Sequence, residues 1–395
     1  MTPPDRSSSG NYDNRLVFLD GLRGLAAFYV LVFHARWLLW EGYLTGYVTH
    51  PDHYSLVGKV LAHVFLAFSY GHQMVMLFFV LSGFVIHLRY ATRLKQQDSA
   101  RFGWRAYVWR RAKRLYPPLL FTMILTFGLD QLGKVWGFPI YSMPTVLNLD
   151  IRPIHDPLTA VGNLLFTMSV YVAPWGMNGA LWSLAYEWWF YMIYPIFWWL
   201  TRRSIPVANG TMAALYVLSF FPALWPVALF RVVFSAMLAW WFGVLLADIY
   251  VGRYKLPLWK IAPASFLLIA LAPLTILAPP QLPALQVVED TLWALAFAGV
   301  VAGLMAWKNR GGSLSLLERL KPLGDMSYTL YVIHFPILIF ISGWLMSRSP
   351  TQALPENTGW VFVGMGICLG TAYLAHFFTE TPFIRSRPAS RPSVA

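Results

Sequence analysis

Apolar residues in this chain come in long runs rather than in strict alternation, and the runs are of the length that crosses a bilayer as a helix. Ten are predicted, at 16–40, 72–90, 117–136, 181–200, 208–226, 230–250, 261–279, 288–307, 324–346 and 359–379. The pattern predicts an all-α, polytopic membrane protein of about ten transmembrane helices. Two further apolar stretches, Val57 to Tyr70 and Thr159 to Trp175, are short or interrupted. They are expected to form helices lying at, or dipping into, the outer membrane face. Lys and Arg gather in alternate connections: the cluster from Arg89 to Arg114 on one side, but only Lys59, Lys134, Arg152, Arg231 and Arg348 on the other. Basic residues favour the cytoplasmic side, so both termini are expected there. The expected division is a disordered tail over 1–15, a membrane domain over 16–380 and a second cytoplasmic tail over 381–395.

Composition agrees with the pattern. The 395 residues are 57% hydrophobic and 12% charged, with 19 Trp, which is far from a soluble globule. A net charge of +13 invites a nucleic-acid reading. The basic residues sit between apolar runs, however, where they set topology, so no nucleic-acid partner is expected. One cysteine, Cys368, excludes an internal disulfide framework or a cysteine-rich metal site. There is no HExxH spacing, P-loop, dinucleotide fingerprint or GxSxG elbow, so no metal is expected.

The exceptions inside the runs carry the chemistry, because a charge within a span costs several kcal/mol or more and is usually functional. The first run holds Asp20, Arg23, His34 and Arg36. Arg23 and His34 are eleven positions apart, close to three helical turns, so they share a face about 16 Å apart along the axis. Asp20 can pair with Arg23 at i−3. Arg36 points elsewhere and is read as snorkelling to the outer face. His34 has the titration range of a general base, against the alternative of a histidine bonded to a backbone carbonyl. In the fourth run Glu187 lies about six residues deep, as His34 does in the first, which puts the carboxylate within reach of the imidazole.

Arg101 to Arg114, just before Tyr116, Pro117 and Pro118, reads as a basic interfacial helix. It is either a lipid anchor or a phosphate clamp, with Arg111 and Arg114 at i and i+3 and Arg110 beside them. Ser82 and Gly83 place a small polar pair at mid-membrane, which taken alone reads as helix packing. Ser327, Tyr331 and His334 form a polar stripe in the ninth run. Tyr331 and His334 are plausible cavity lining, and for His334 alone a structural role stands equally. Glu380 and Arg385 are expected to form a surface or helix-end pair.

Taken in order, these pieces resemble the membrane acyltransferase 3 family. They are Leu19-Asp20-Gly21-Leu22-Arg23-Gly24 followed by His34, then Phe78 to Phe84, Arg111 to Pro117, Leu181 to Leu184 with Glu187, and Ser327-Tyr328 with Tyr331 and His334. The resemblance implies a ten-span enzyme in the plasma (bacterial inner) membrane. It would move an acyl group, often acetyl, from cytoplasmic acyl-coenzyme A to a hydroxyl of a carbohydrate, glycan or other small hydroxylated acceptor. It also implies that Arg23 and His34 are essential and that Arg111 and Arg114 handle the coenzyme. In the expected site His34 is base or acyl relay, Glu187 orients it, and Arg23 neutralises phosphate or an oxyanion. The donor would be held by Arg110, Arg111, Arg114, Ser82, Tyr331 and His334. The rival reading of the same intramembrane His, Glu and Arg is a transporter or flippase with a proton path.

Overall fold

The computed structural model describes residues 14–96, 102–142, 145, 147, 152–277 and 282–384. The expected tails, Arg101 and Arg385 fall wholly or largely outside these. The described chain is a helical bundle. In order its helices are α1 (Val17–Leu38), α2 (Leu56–Leu66), α3 (Gly71–Lys95), α4 (Trp104–Val135), α5 (Pro157–Leu164), α6 (Trp182–Arg203) and α7 (Ile205–Leu218). They continue as α8 (Ala228–Tyr250), α9 (Leu267–Leu277), α10 (Pro283–Asn309), α11 (Ser315–Arg319), α12 (Lys321–Asp325), α13 (Ser327–Ser347) and α14 (Gly359–Thr379).

Among the described residues seven helices are long and apolar enough to cross a membrane: α1, α3, α8, Leu258–Leu277, α10, α13 and α14. The chain is an all-α polytopic membrane protein. The difference from ten lies in α4, α6 and α7. α4 begins on the arginine cluster and α6 is rich in Trp and Tyr. α7 has 14 residues, a length of about 21 Å against about 30 Å of hydrocarbon. The run expected at 208–226 therefore ends as helix at Leu218, and Trp225 closes the turn by donating Nε1 to Leu218 O at 2.9 Å.

α13 is the centre. Of its most apolar stretch 83% is buried, against 6% for Leu258–Leu277, which faces outward with Ile269, Leu274 and Leu277 bare. Such apolar exposure is what a lipid-facing helix presents. Pro336 lies inside α13 and cannot donate to Val332 O. That carbonyl instead accepts Thr122 Oγ1 from α4 at 2.7 Å and Asn178 Nδ2 at 2.9 Å. An unsatisfied carbonyl in hydrocarbon costs several kcal/mol, so the proline ties α4 and the entry to α6 onto α13.

Glycines set two close approaches. A Cβ on Gly24 of α1 would lie 2.5 Å from Gly324 N of α12, and one on Gly83 of α3 would lie 2.1 Å from Trp240 O of α8. The glycine of the first-run motif thus seats α12 against α1. Gly83 serves packing, as the small-residue pattern suggests, while its neighbour Ser82 has another role.

Two expectations about connections are corrected. The basic segment and the run after it are one continuous 32-residue helix, α4, which passes through Pro117 and Pro118. The stretch 159–175 is helical only to Leu164. It then turns at Phe166, with φ 54°, and returns as irregular chain. Its tip is deep: Leu164 O accepts Tyr116 Oη at 3.0 Å and Phe166 O accepts Trp189 Nε1 at 3.0 Å. Asn163 satisfies the returning chain by donating to Ala173 O and accepting from Trp175 N, at 2.9 and 3.0 Å. These side-chain partners satisfy backbone groups that no helix provides for, although Leu165 and Tyr171 stay exposed. α2 is a separate helix of 11 residues with Leu56, Val57, Val60 and Val64 exposed along one side, as expected of a helix lying at a membrane face.

Candidate active site

One cavity, with about 680 Å³ of empty space when its open mouth is included, gathers residues from α1, α3, α4, α6 and α13. At its basic end stand Arg23, Arg111 and Arg114. The i, i+3 spacing on α4 brings both of its arginines to the cavity, with Arg114 one turn before Pro117 and Pro118 in the same continuous helix. Arg111 also lies over the rings of Tyr107 and Tyr191, 5.6 and 5.4 Å from their centroids, a cation–π seat that fixes the guanidinium. Arg23 donates to Asp20 Oδ1 at 2.8 Å. Arg23 Nε and Arg111 Nε are buried with no hydrogen-bond partner among the described residues. Buried donors of this kind are built for an anion. Arg110 is not among the cavity residues; it is exposed and donates to Tyr90 Oη at 3.4 Å.

Midway up, Ser82 Oγ donates to Glu187 Oε1 at 3.2 Å, lies 3.1 Å from Tyr191 Oη and accepts Trp240 Nε1 at 3.3 Å. Tyr191 Oη also donates to Glu187 Oε1. Glu187 is therefore bound to Ser82 and Tyr191, not to His34, which corrects the expected pair. The reason is that α6 does not start at the edge of the bundle: residues 175–181 are already largely buried, with Asn178 bonded to Val332 O, so a count of residues from the start of α6 misjudges how far in Glu187 lies.

The upper wall is Tyr331, whose hydroxyl is 2.8 Å from Ser183 Oγ and whose ring packs edge-on against Phe78. One turn beyond it on α13 is His334, and its Nε2 lies 3.0 Å from His34 Nδ1. Each imidazole also meets the carbonyl four residues before it. His34 Nδ1 is 3.0 Å from Val30 O, and His334 Nδ1 is 3.1 Å from Leu330 O. Phe33, Trp37 and Phe335 enclose the His34 ring. Neither imidazole is among the described residues lining the cavity. The cavity that starts at Arg23 therefore does not reach His34; Tyr331, one turn before His334 on α13, is among its lining residues. His334 is a partner of His34 rather than cavity lining, and sequence spacing had no means of bringing positions 34 and 334 together.

Two neighbours differ from expectation. Arg36 does not snorkel; its Nε donates to Phe68 O at 3.0 Å, just past the end of α2, where a cation suits the helix dipole. Glu380 is not a surface residue. It is 5% exposed and accepts from Thr329 N and Oγ1 at 2.8 and 2.6 Å, capping the start of α13.

Comparisons with known proteins place the chain in a family. The chain is similar to the protein named acyltransferase MdmB of Streptomyces mycarofaciens, 25% identical over 410 residues that cover 96% of this chain and 94% of the relative. No solved structure matches. The model of a family described as an acyltransferase domain matches residues 16–376, which include every residue of the cavity and the histidine pair. The chain belongs to that family, acyltransferase 3, and is a multi-pass membrane acyltransferase.

Proposed function

We propose that this enzyme is an O-acyltransferase that takes an acyl group, in the first instance acetyl, from acyl-coenzyme A. The acceptor is a hydroxyl of a carbohydrate or related cell-surface molecule, the arginine end faces the cytoplasm, and the membrane is the plasma membrane. The observation that supports this reading is the cavity itself. It has arginines at one end, with buried unpartnered Nε atoms on Arg23 and Arg111, and a mostly apolar barrel ending one turn from an imidazole pair. A coenzyme has that polarity, with phosphates at one end and a long uncharged arm leading to the thioester.

In this reading Arg111 and Arg114 hold the phosphates, with Arg23 above them. The arm passes Ser82 and Glu187, which offer hydrogen bonds, and the thioester displaces Tyr331 from Ser183 to reach His34. His34 Nε2 takes the proton of the acceptor hydroxyl as its oxygen attacks the thioester carbonyl. The C–O bond forms, the C–S bond breaks, and the leaving thiolate takes that proton back from the imidazolium. The products are ester and free coenzyme thiol, with no net proton released.

The test is release of free thiol from acetyl-coenzyme A by detergent-purified protein, with isothermal titration of coenzyme A alongside. His34→Ala is expected to bind the coenzyme normally and to release no thiol above background. An Arg111→Ala/Arg114→Ala double variant is expected to lose coenzyme binding. Full activity in His34→Ala, or undiminished binding in the double variant, overturns the proposal. A carrier, the alternative reading, would move the intact solute and release no thiol.

A further inference from the structure

The geometry points to His334 as the positioning residue for His34, fixing it as the Nδ1–H tautomer so that Nε2 is free to act as the base. This inference rests on the proposed role of His34 and assigns the orienting function to an imidazole instead of a carboxylate.

The argument is one of hydrogen-bond accounting. A backbone carbonyl only accepts. His334 Nδ1 faces Leu330 O at 3.1 Å, so the proton of neutral His334 is on Nδ1 and its Nε2 carries a lone pair. His34 Nδ1 faces Val30 O at 3.0 Å, so it too carries a proton. That N–H lies 3.0 Å from His334 Nε2, and lone pair and proton match. A second proton on His334 would set two N–H groups against each other. The resting pair is therefore neutral, with the two i−4 carbonyls setting both tautomers. Both rings are held in place: His334 is 1% exposed and tilts 45° to the His34 ring, and Phe335 stands edge-on to His34.

The consequence for transfer is specific. When His34 Nε2 accepts the acceptor's proton, the imidazolium charge is stabilised by its Nδ1–H bond to the His334 lone pair. The Nδ1 proton can shift to His334 Nε2 and back, spreading one positive charge over two rings until the thiolate collects a proton from His34 Nε2. Glu187, tied to Ser82 and Tyr191, takes no part in this step.

The experiment compares three substitutions at one position, each assayed for thiol release with donor KM and kcat resolved and for thermal midpoint. His334→Gln places an amide oxygen near the position of Nε2 and keeps the acceptor. His334→Asn reaches only as far as Nδ1, and His334→Leu has no acceptor at all. The expected result is kcat within about threefold of the parent for Gln and lowered about 30-fold for Leu and Asn, with donor KM unchanged. Parental kcat in His334→Leu overturns the inference, and so does a Gln variant as slow as Leu at an unchanged midpoint. If Leu does not fold, the Gln–Asn contrast decides, and equal rates overturn the inference. His34→Ala separates the two levels. Inactivity there with a parental His334→Leu removes only the positioning role, whereas activity in His34→Ala removes the base itself.

Discussion

The two functional groups of α1 sit on one helical face, yet their surroundings have little in common. Arg23 opens onto a cavity shared with Arg111, Arg114 and Glu187, and its side chain is 20% exposed. His34 is ringed by Phe33, Trp37 and Phe335 and touches a second imidazole. One end is a charged, solvent-connected socket suited to gripping an anion. The other is a half-buried imidazole set among aromatic rings, with a backbone carbonyl and a second imidazole as its hydrogen-bond partners. In the proposed reading the contrast separates donor binding from chemistry along α1, with Tyr331 and Ser183 between the two ends. Residues at the arginine end should therefore act on donor affinity, and those at the histidine end on turnover.

The comparison can be broken most sharply at His34. His34→Ala is expected to lower kcat at least about 1000-fold while leaving donor KM within about twofold, read by steady-state thiol release. At the other end, Arg111→Ala/Arg114→Ala is expected to raise donor KM about 100-fold with kcat little changed. A fall in kcat at constant KM would merge the two ends. The scaffold of the arginine end is tested by Gly24→Val. Its Cβ would meet Gly324 N at 2.5 Å, a backbone clash that should cost about 3 kcal/mol of stability, read as a lowered unfolding midpoint, and loosen donor binding. Tyr331→Phe removes the bond to Ser183 and should change kcat by only about threefold, because a neutral hydrogen bond at a movable boundary contributes little.

The smallest effect belongs to an exposed tie beyond the histidine end. His53 Nδ1 lies 2.9 Å from Glu356 Oε1, and the neighbouring carboxylate raises the imidazole above its ordinary 6.5. A raised folded value means that the contribution is fully present below pH 6.5 and fades as pH climbs through the higher folded value. His53→Ala should shift the thermal midpoint slightly at pH 5.5 and not at pH about 9, and should leave both kinetic constants alone.

Much of this was legible in the chain. Apolar runs gave the class of fold and nearly every helix, and the i, i+3 spacing of Arg111 and Arg114 correctly put both on one face toward the cavity. The rise per residue placed Arg23 and His34 on one face. What failed was anything that needed a helix to start at the membrane boundary. Glu187 was set beside His34 because the chain from Trp175 to Leu181 enters the bundle before α6 begins, and hydropathy does not distinguish a buried strap from a surface segment. The 159–175 stretch dips inward, one of the two placements expected of it, but it is helical only to Leu164. Its backbone is satisfied by Asn163, Tyr116 and Trp189, partners that no local pattern indicates. His334 was visible as one residue of a polar stripe. Its contact with His34 spans 300 positions and exists only because α1 and α13 pack together.

The measurement that bears most directly on the account is a cryo-electron microscopy map of the protein with a non-hydrolysable thioether analogue of acetyl-coenzyme A. The account predicts phosphate density on Arg111 and Arg114, Tyr331 turned away from Ser183, and the analogue's sulfur within about 4 Å of the His34 ring, in contact with it. Sulfur held on the arginine side of an unmoved Tyr331, or phosphates bound away from Arg111 and Arg114, would contradict it.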